Sequence, residues 1–185
     1  GQTLILFSDG RLLISKKTAR GWSAPIPLPR CINASRWQAD ALLSADGRAL
    51  LFAAKRSVSP NDRESMNIFV STLDAAGNWT EPKSLGPTIN TIYDERSPVL
   101  HADMKTLYFC SSGHSTLGGL DVFKTTRKYE DSWTDWTEPV NIGKEINTTA
   151  DDCWYKLTTD GQTAYYAKAA DDGTSAARNG QKTTP

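Results

Sequence analysis

Two adjacent pairs of carboxylates stand out in this 185-residue sequence, Asp94 with Glu95 and Asp151 with Asp152. Paired oxygen donors suit a hard cation, or a hydrolysis that uses two carboxylates across a pocket. For the second chemistry, Glu95 with Asp151 or Asp152 are the candidates. Neither pair sits in the spaced ligand loop of a calcium site, so no metal is expected. Around them lie Arg36, Trp37, Tyr93, Arg96 and Trp154, the arginine and aromatic types that anchor binding interfaces. Aspartate also accepts hydrogen bonds from nearby backbone amides. Asp94 and Asp151 are therefore expected first as braces, with ligand contact as the alternative. The candidate binding set is Arg36, Trp37, Tyr93, Asp94, Glu95, Arg96, Asp151, Asp152 and Trp154; no catalytic residue and no cofactor is assigned.

Other reactive types carry less. His114 lies in the Gly-rich run Ser111–Gly119 and is expected to be exposed, whereas His101, in an apolar run, is expected to pack. That run is no phosphate loop, because no helix follows to supply a positive dipole end. Cys31, Cys110 and Cys153 lack both a disulfide framework and zinc-type spacing. They are expected as three small buried apolar side chains, with one disulfide as the alternative.

The elements that position these residues repeat. Trp22-Ser23-Ala24-Pro25, Trp79-Thr80-Glu81-Pro82 and Trp136-Thr137-Glu138-Pro139 are spaced 57 residues apart. The same step relates Ile32-Asn33, Ile89-Asn90 and Ile146-Asn147, then Asp46, Asp103 and Asp160, then Phe52, Phe109 and Tyr166. Four landmarks holding one period define a structural repeat. Within each period, two short apolar runs flank a turn, as at Ala41–Ser44 and Ala49–Ala53 around Asp46-Gly47, which is a hairpin signal. A third strand follows at Asn67–Ser71 and Asp121–Thr125, and the Trp-x-x-Pro segment leads into a fourth, where proline suits an outer edge. The recurring tryptophans are expected to pack between repeats.

Four short antiparallel strands per repeat, with no helical periodicity, predict an all-β fold: a partial β-propeller of about three blades. Naming the strands A to D outward from the axis, residues 1–28 supply B to D of one blade. Residues 39–85 and 96–142 supply complete blades, and 153–167 supply A and B of another. Residues 1–168 are read as the propeller portion, and 169–185, polar and poor in large apolar residues, as a flexible tail. Such a set of blades is not expected to close a ring alone, so the chain is read as cut from a longer protein or completed by another copy. In this geometry the D-to-A and B-to-C loops share one face, which carries the candidate set.

Ile89-Asn90-Thr91, Tyr93-Asp94-Glu95 and Ser97-Pro98, followed by Ala102-Asp103, Lys105–Phe109 and Ser111, resemble the TolB-like propeller repeat. Leu117–Phe123 and Trp136–Gly143 resemble its form in Bacteroidota envelope proteins of the OmpA family and type IX secretion machinery. The pattern departs at Arg36-Trp37-Gln38, which replaces Tyr-Asp-Glu. The resemblance implies a periplasmic or outer-membrane-associated setting. It implies envelope proteins or cell-wall components as partners, with peptidoglycan reached through a domain not in this sequence.

Charge excludes one class of partner. Lys plus Arg number 21 and Asp plus Glu 21, so no net field gathers nucleic acid. No run of about 20 apolar residues predicts a membrane span, and the N-terminus lacks the basic and apolar regions of a signal peptide. The leading expectation is a non-catalytic scaffold that binds proteins, not an enzyme. The alternatives are a glycan- or small-ligand-binding propeller using Trp37, Tyr93 and Trp154, or the propeller of a glycosidase or peptidase. The turn Ser44-x-Asp46-Gly47 departs from the Ser-x-Asp-x-Gly box of sialidases.

Overall fold

Ser44-Ala45-Asp46-Gly47 builds its turn from its own side chains. Asp46 accepts from the Ser44 hydroxyl and the Arg48 amide, Ser44 Oγ accepts from the Ala49 amide, and Gly47 takes φ 71°. Thr158, Asp160 and Gly161 repeat the device one blade-pair later. Between them, Asp103 accepts from the Lys105 and Thr106 amides, and Met104 occupies the glycine's place at φ 61°. The turn therefore persists where its Asp-Gly sequence does not.

The computed structural model describes residues 2–56, 65–168 and 178–183. Among these residues the strands form four antiparallel sheets. The first contains β1 (Thr3–Ser8), β2 (Arg11–Thr18), β3 (Gly21–Trp22) and β4 (Ile26–Pro27). The second runs β5 (Gln38–Leu43), β6 (Ala49–Lys55), β7 (Met66–Thr72) and β8 (Lys83–Ser84) in consecutive order. The third runs β9 (Glu95–Leu100), β10 (Thr106–Ser111), β11 (Asp121–Thr126) and β12 (Val140–Asn141). The fourth contains β13 (Asp152–Leu157), β14 (Thr163–Lys168) and β15 (Arg178–Thr183). These consecutive meanders are the blades of a partial β-propeller. Only a short 3-10 turn, Ile32–Ala34, breaks the β character of the described residues.

The strand β15 corrects part of the tail reading. Backbone pairing to β14 needs no apolar side chain, so the polar composition of this stretch does not prevent a strand. Residues 169–177 and 184–185 lie outside the described residues. So does 57–64, within the long polar B-to-C loop expected between Lys55 and Met66.

Successive side chains of a strand face opposite sides of the sheet, and the central strands β6, β7 and β10 are buried on both sides, so the second and third blades each feed two cores. Leu50, Phe52 and Phe69 pack against Leu12 and Leu28 of the first blade. Leu51, Ile68 and Val70 pack against Leu107, Phe109, Phe123 and Trp136 of the third. Tyr108, Cys110 and Val122 pack against Cys153, Tyr155 and Ala164 of the fourth. The last of these cores is cross-linked: Cys110 of β10 and Cys153 of β13 form a disulfide, and Cys31 alone is free. This replaces the expectation of three free thiols, because the fold brings Cα atoms 43 residues apart in sequence to 5.6 Å.

The tryptophans grade with their neighbours. Trp136 is buried, Trp79 packs partly against the core shared with the first blade, and Trp22 is 46% exposed. Leu4 and Leu6, also exposed, sit at the register positions that Leu50 and Phe52 occupy in the second blade. Packing between blades thus holds for Trp136 and part of Trp79, while Trp22 has no upstream blade against it in this structure.

Candidate functional site

The D-to-A segments first serve the fold. Asn33, Asn90 and Asn147 each grip the third strand of the preceding blade through both amide atoms. Their side chains accept from the backbone amides of Leu12, Ile68 and Val122 and donate to the carbonyls of the same residues. Five residues on, Gln38, Glu95 and Asp152 share one phase and one role. Glu95 accepts from the Thr91 amide and hydroxyl and from Ser111 Oγ, Asp152 accepts from the Thr148 amide and hydroxyl, and Gln38 donates to Ser35. All three are fully buried. Burial pushes the Glu95 carboxyl up to about 7, outweighing the hydrogen bonds from Thr91 and Ser111 that favour its charged form.

Glu95 and Asp152 are therefore buried braces and do not reach the loop surface, contrary to the sequence reading. Asp94 and Asp151 brace as well: Asp94 accepts from the Met66 amide and Asp151 from the Leu120 amide, tying each loop to the start of the neighbouring third strand. Asp94 also pairs with Arg96 at 3.0 Å. The Gly-rich run approaches these loops so closely that a Cβ on Gly118 or Gly119 would collide with Thr149 or Asp151. His114 is not exposed as expected. Its ring lies between Phe109 and Phe123, with Nε2 3.1 Å from the Ile89 carbonyl. His101 sits partly buried beside Asp103.

Arg36, Trp37 and Arg96 come together in a groove of about 840 Å³, completed by Ala34, Ser35, Lys55 and Met66. Trp37 is 45% exposed; its ring stands against Phe7, centroids 5.2 Å apart, and against Gly10. Tyr93 is exposed on a separate loop. Lys55 and Met66 were not legible as site residues, because they close the groove from the end of one strand and the start of another. Their place on the loop face follows from the blade topology alone.

Trp154 points elsewhere. Asp40, Ser97 and Trp154 recur at one phase, and each adopts a left-handed backbone (φ 50°, 48° and 54°) where the register of the A strand breaks. Bulges of this kind re-aim side chains. With Lys156 and their neighbours these residues line a smaller depression of about 120 Å³ along the A strands, and the Ser97 amide donates to Asp40 at 3.3 Å. No sequence signal marks this ring, because its three side chains differ. Among the described residues, no three His, Cys, Asp or Glu side chains gather as a metal site.

No protein-family model and no curated protein matches the chain. Solved structures do share its architecture. An α-L-arabinofuranosidase from Lactobacillus brevis aligns over 94% of this chain and 62% of its own, at 14% identity and TM-score 0.54. A GH43_12 protein from a capybara gut metagenome aligns over 94% of this chain and 33% of its own, at 13% identity and TM-score 0.52. A putative TolB from Agrobacterium tumefaciens aligns over 93% of this chain and 68% of its own, at 15% identity and TM-score 0.46. The chain thus spans about three-fifths of the arabinofuranosidase and one-third of the GH43_12 protein. At these identities the likeness concerns the fold, that of a β-propeller. It corrects the expectation that the chain is not an enzyme: the architecture is one on which enzymes such as the arabinofuranosidase are built, so the lack of a recognisable catalytic set in these blades excludes nothing. No helix among the described residues is long and apolar enough to cross a membrane.

Proposed function

We propose that this chain is a partner-recognition module of a cell-envelope propeller, acting through the loop face of its second and third blades. The groove around Trp37 carries this reading. It draws Arg36, Lys55 and Arg96 from three separate segments to one exposed aromatic ring, whereas Asn33, Asn90 and Asn147 of the same loops are spent on backbone. Convergent cations beside an aromatic are the composition of a binding hot spot. The Cys110–Cys153 disulfide supports an oxidising compartment, of which the bacterial periplasm is one. The TolB-like repeat pattern supports the same setting, with envelope proteins or cell-wall components as partners.

The test is retention of solubilised envelope components on the immobilised chain. Trp37→Ala combined with Arg96→Ala should lose retention, while Lys105→Ala, beside Glu130 on the opposite turns, should keep it. Equal retention by the groove variant at unchanged melting temperature moves recognition to another surface.

A further inference from the structure

We infer that the groove beside Trp37 binds an acidic saccharide, a sugar ring bearing a carboxylate; this rests on the loop-face reading above and names its ligand. The indole is a prepared platform. Gly10 (φ 76°) lacks the Cβ that would stand 3.3 Å from Trp37 Cε3, so the ring lies down on the β1–β2 turn beside Phe7, and nearly half of it stays exposed. A ring held this way offers an apolar plane for the C–H face of a sugar at little cost in side-chain entropy.

The groove also has uncompensated positive charge. Arg36, Lys55 and Arg96 line it, and among the described residues only Arg96 has an acidic partner, Asp94. The Arg96 Nε–H is buried without an acceptor. Cations left unpaired around a concave site attract an anion, and the guanidinium fork matches the planar carboxylate in two parallel hydrogen bonds.

The shape argues against a peptide. A volume of about 840 Å³ is that of a small-ligand site. Peptides added to a sheet need an unbroken free edge. Here β5 and β9 beside the groove are each interrupted at their third residue, Asp40 and Ser97, by a left-handed bulge.

Titration calorimetry of the full chain with a galacturonate trisaccharide tests the assignment. Saturable binding is expected, weakened about tenfold by Trp37→Ala and by Arg36→Ala, a change matching one charged hydrogen bond or one ring contact. Trp37→Phe, which keeps an aromatic plane, should retain most of it, and added salt should weaken it. Equal binding of the neutral galactose trisaccharide overturns the proposal, as does a preference for galactose 6-phosphate or for a tetraglutamate peptide. Uronate binding that ignores both alanine variants overturns it too. If no uronate binds but the groove double variant still loses envelope retention, the saccharide assignment falls and the loop-face reading stands. If that variant retains everything, both fall.

Discussion

Glu95 shows how little a residue's type says about its duty. A carboxyl held at about 7 inside the fold favours its neutral form there, so its contribution to stability is fullest below the unfolded value near 4.5. That contribution declines as pH rises through the window from 4.5 to about 7. The loss is on the order of 3 kcal/mol. Melting temperature should therefore fall between pH 5 and pH 8. Glu95→Gln should flatten that dependence, since Gln38 already fills the same phase one repeat earlier. A variant melting profile as steep as the parent's would assign the pH dependence to other groups. The sequence reading placed Glu95 and Asp152 among ligand contacts because their neighbours are exposed loop residues. Their burial comes from the Thr-x-x-x-acid hydrogen bonding at Thr91 and Thr148, a spacing that was present but not recognised as a local bracket.

At the scale of the strand and its loop, the asparagine clasp is the device that fixes where each blade hands over to the next. Asn90→Ala leaves the buried Ile68 amide without its side-chain partner, while the Ile68 carbonyl still accepts from the Leu85 amide. An unsatisfied buried group costs about 1 to 3 kcal/mol, so chemical denaturation should show a loss of about that size. The Ile-Asn recurrence was legible as a landmark, though not as a clasp. The A-strand bulge was invisible, being a property of the backbone that Asp40, Ser97 and Trp154 share without sharing a side chain. At φ 54°, Trp154→Gly should be neutral or mildly stabilising, whereas Trp154→Val, branched at Cβ, should cost about 1 kcal/mol or more. Matching losses for both substitutions would argue that the indole matters more than the backbone.

Across the whole molecule, stability resides in the layers between blades, and the three repeated tryptophans sample those layers unequally. Trp136→Ala should cost about 3 to 5 kcal/mol, as emptying a buried indole site does. Trp22→Ala should be nearly silent in this chain, because Trp22 stands 46% exposed. Equal losses at the two positions would mean that the first blade is packed in solution against a surface not present here. The repeat itself was fully legible, since a period shared by turns, asparagines and tryptophans leaves few architectures. The disulfide was not, because Cys110 and Cys153 sit on different strands of different repeats and only the packing of β10 against β13 brings them together.

That cross-link also changes how the chain responds to being pulled. An ordinary propeller segment drawn from its ends peels blade by blade and yields its full contour. Here the 43-residue stretch between the bonded cysteines is short-circuited, hiding roughly 150 Å of extensible length. A single-molecule tether attached at the two ends should stop short by that amount in oxidising buffer and release it as one added increment when a reductant is admitted. The bond makes the module a strap whose slack is set by the redox state of its surroundings.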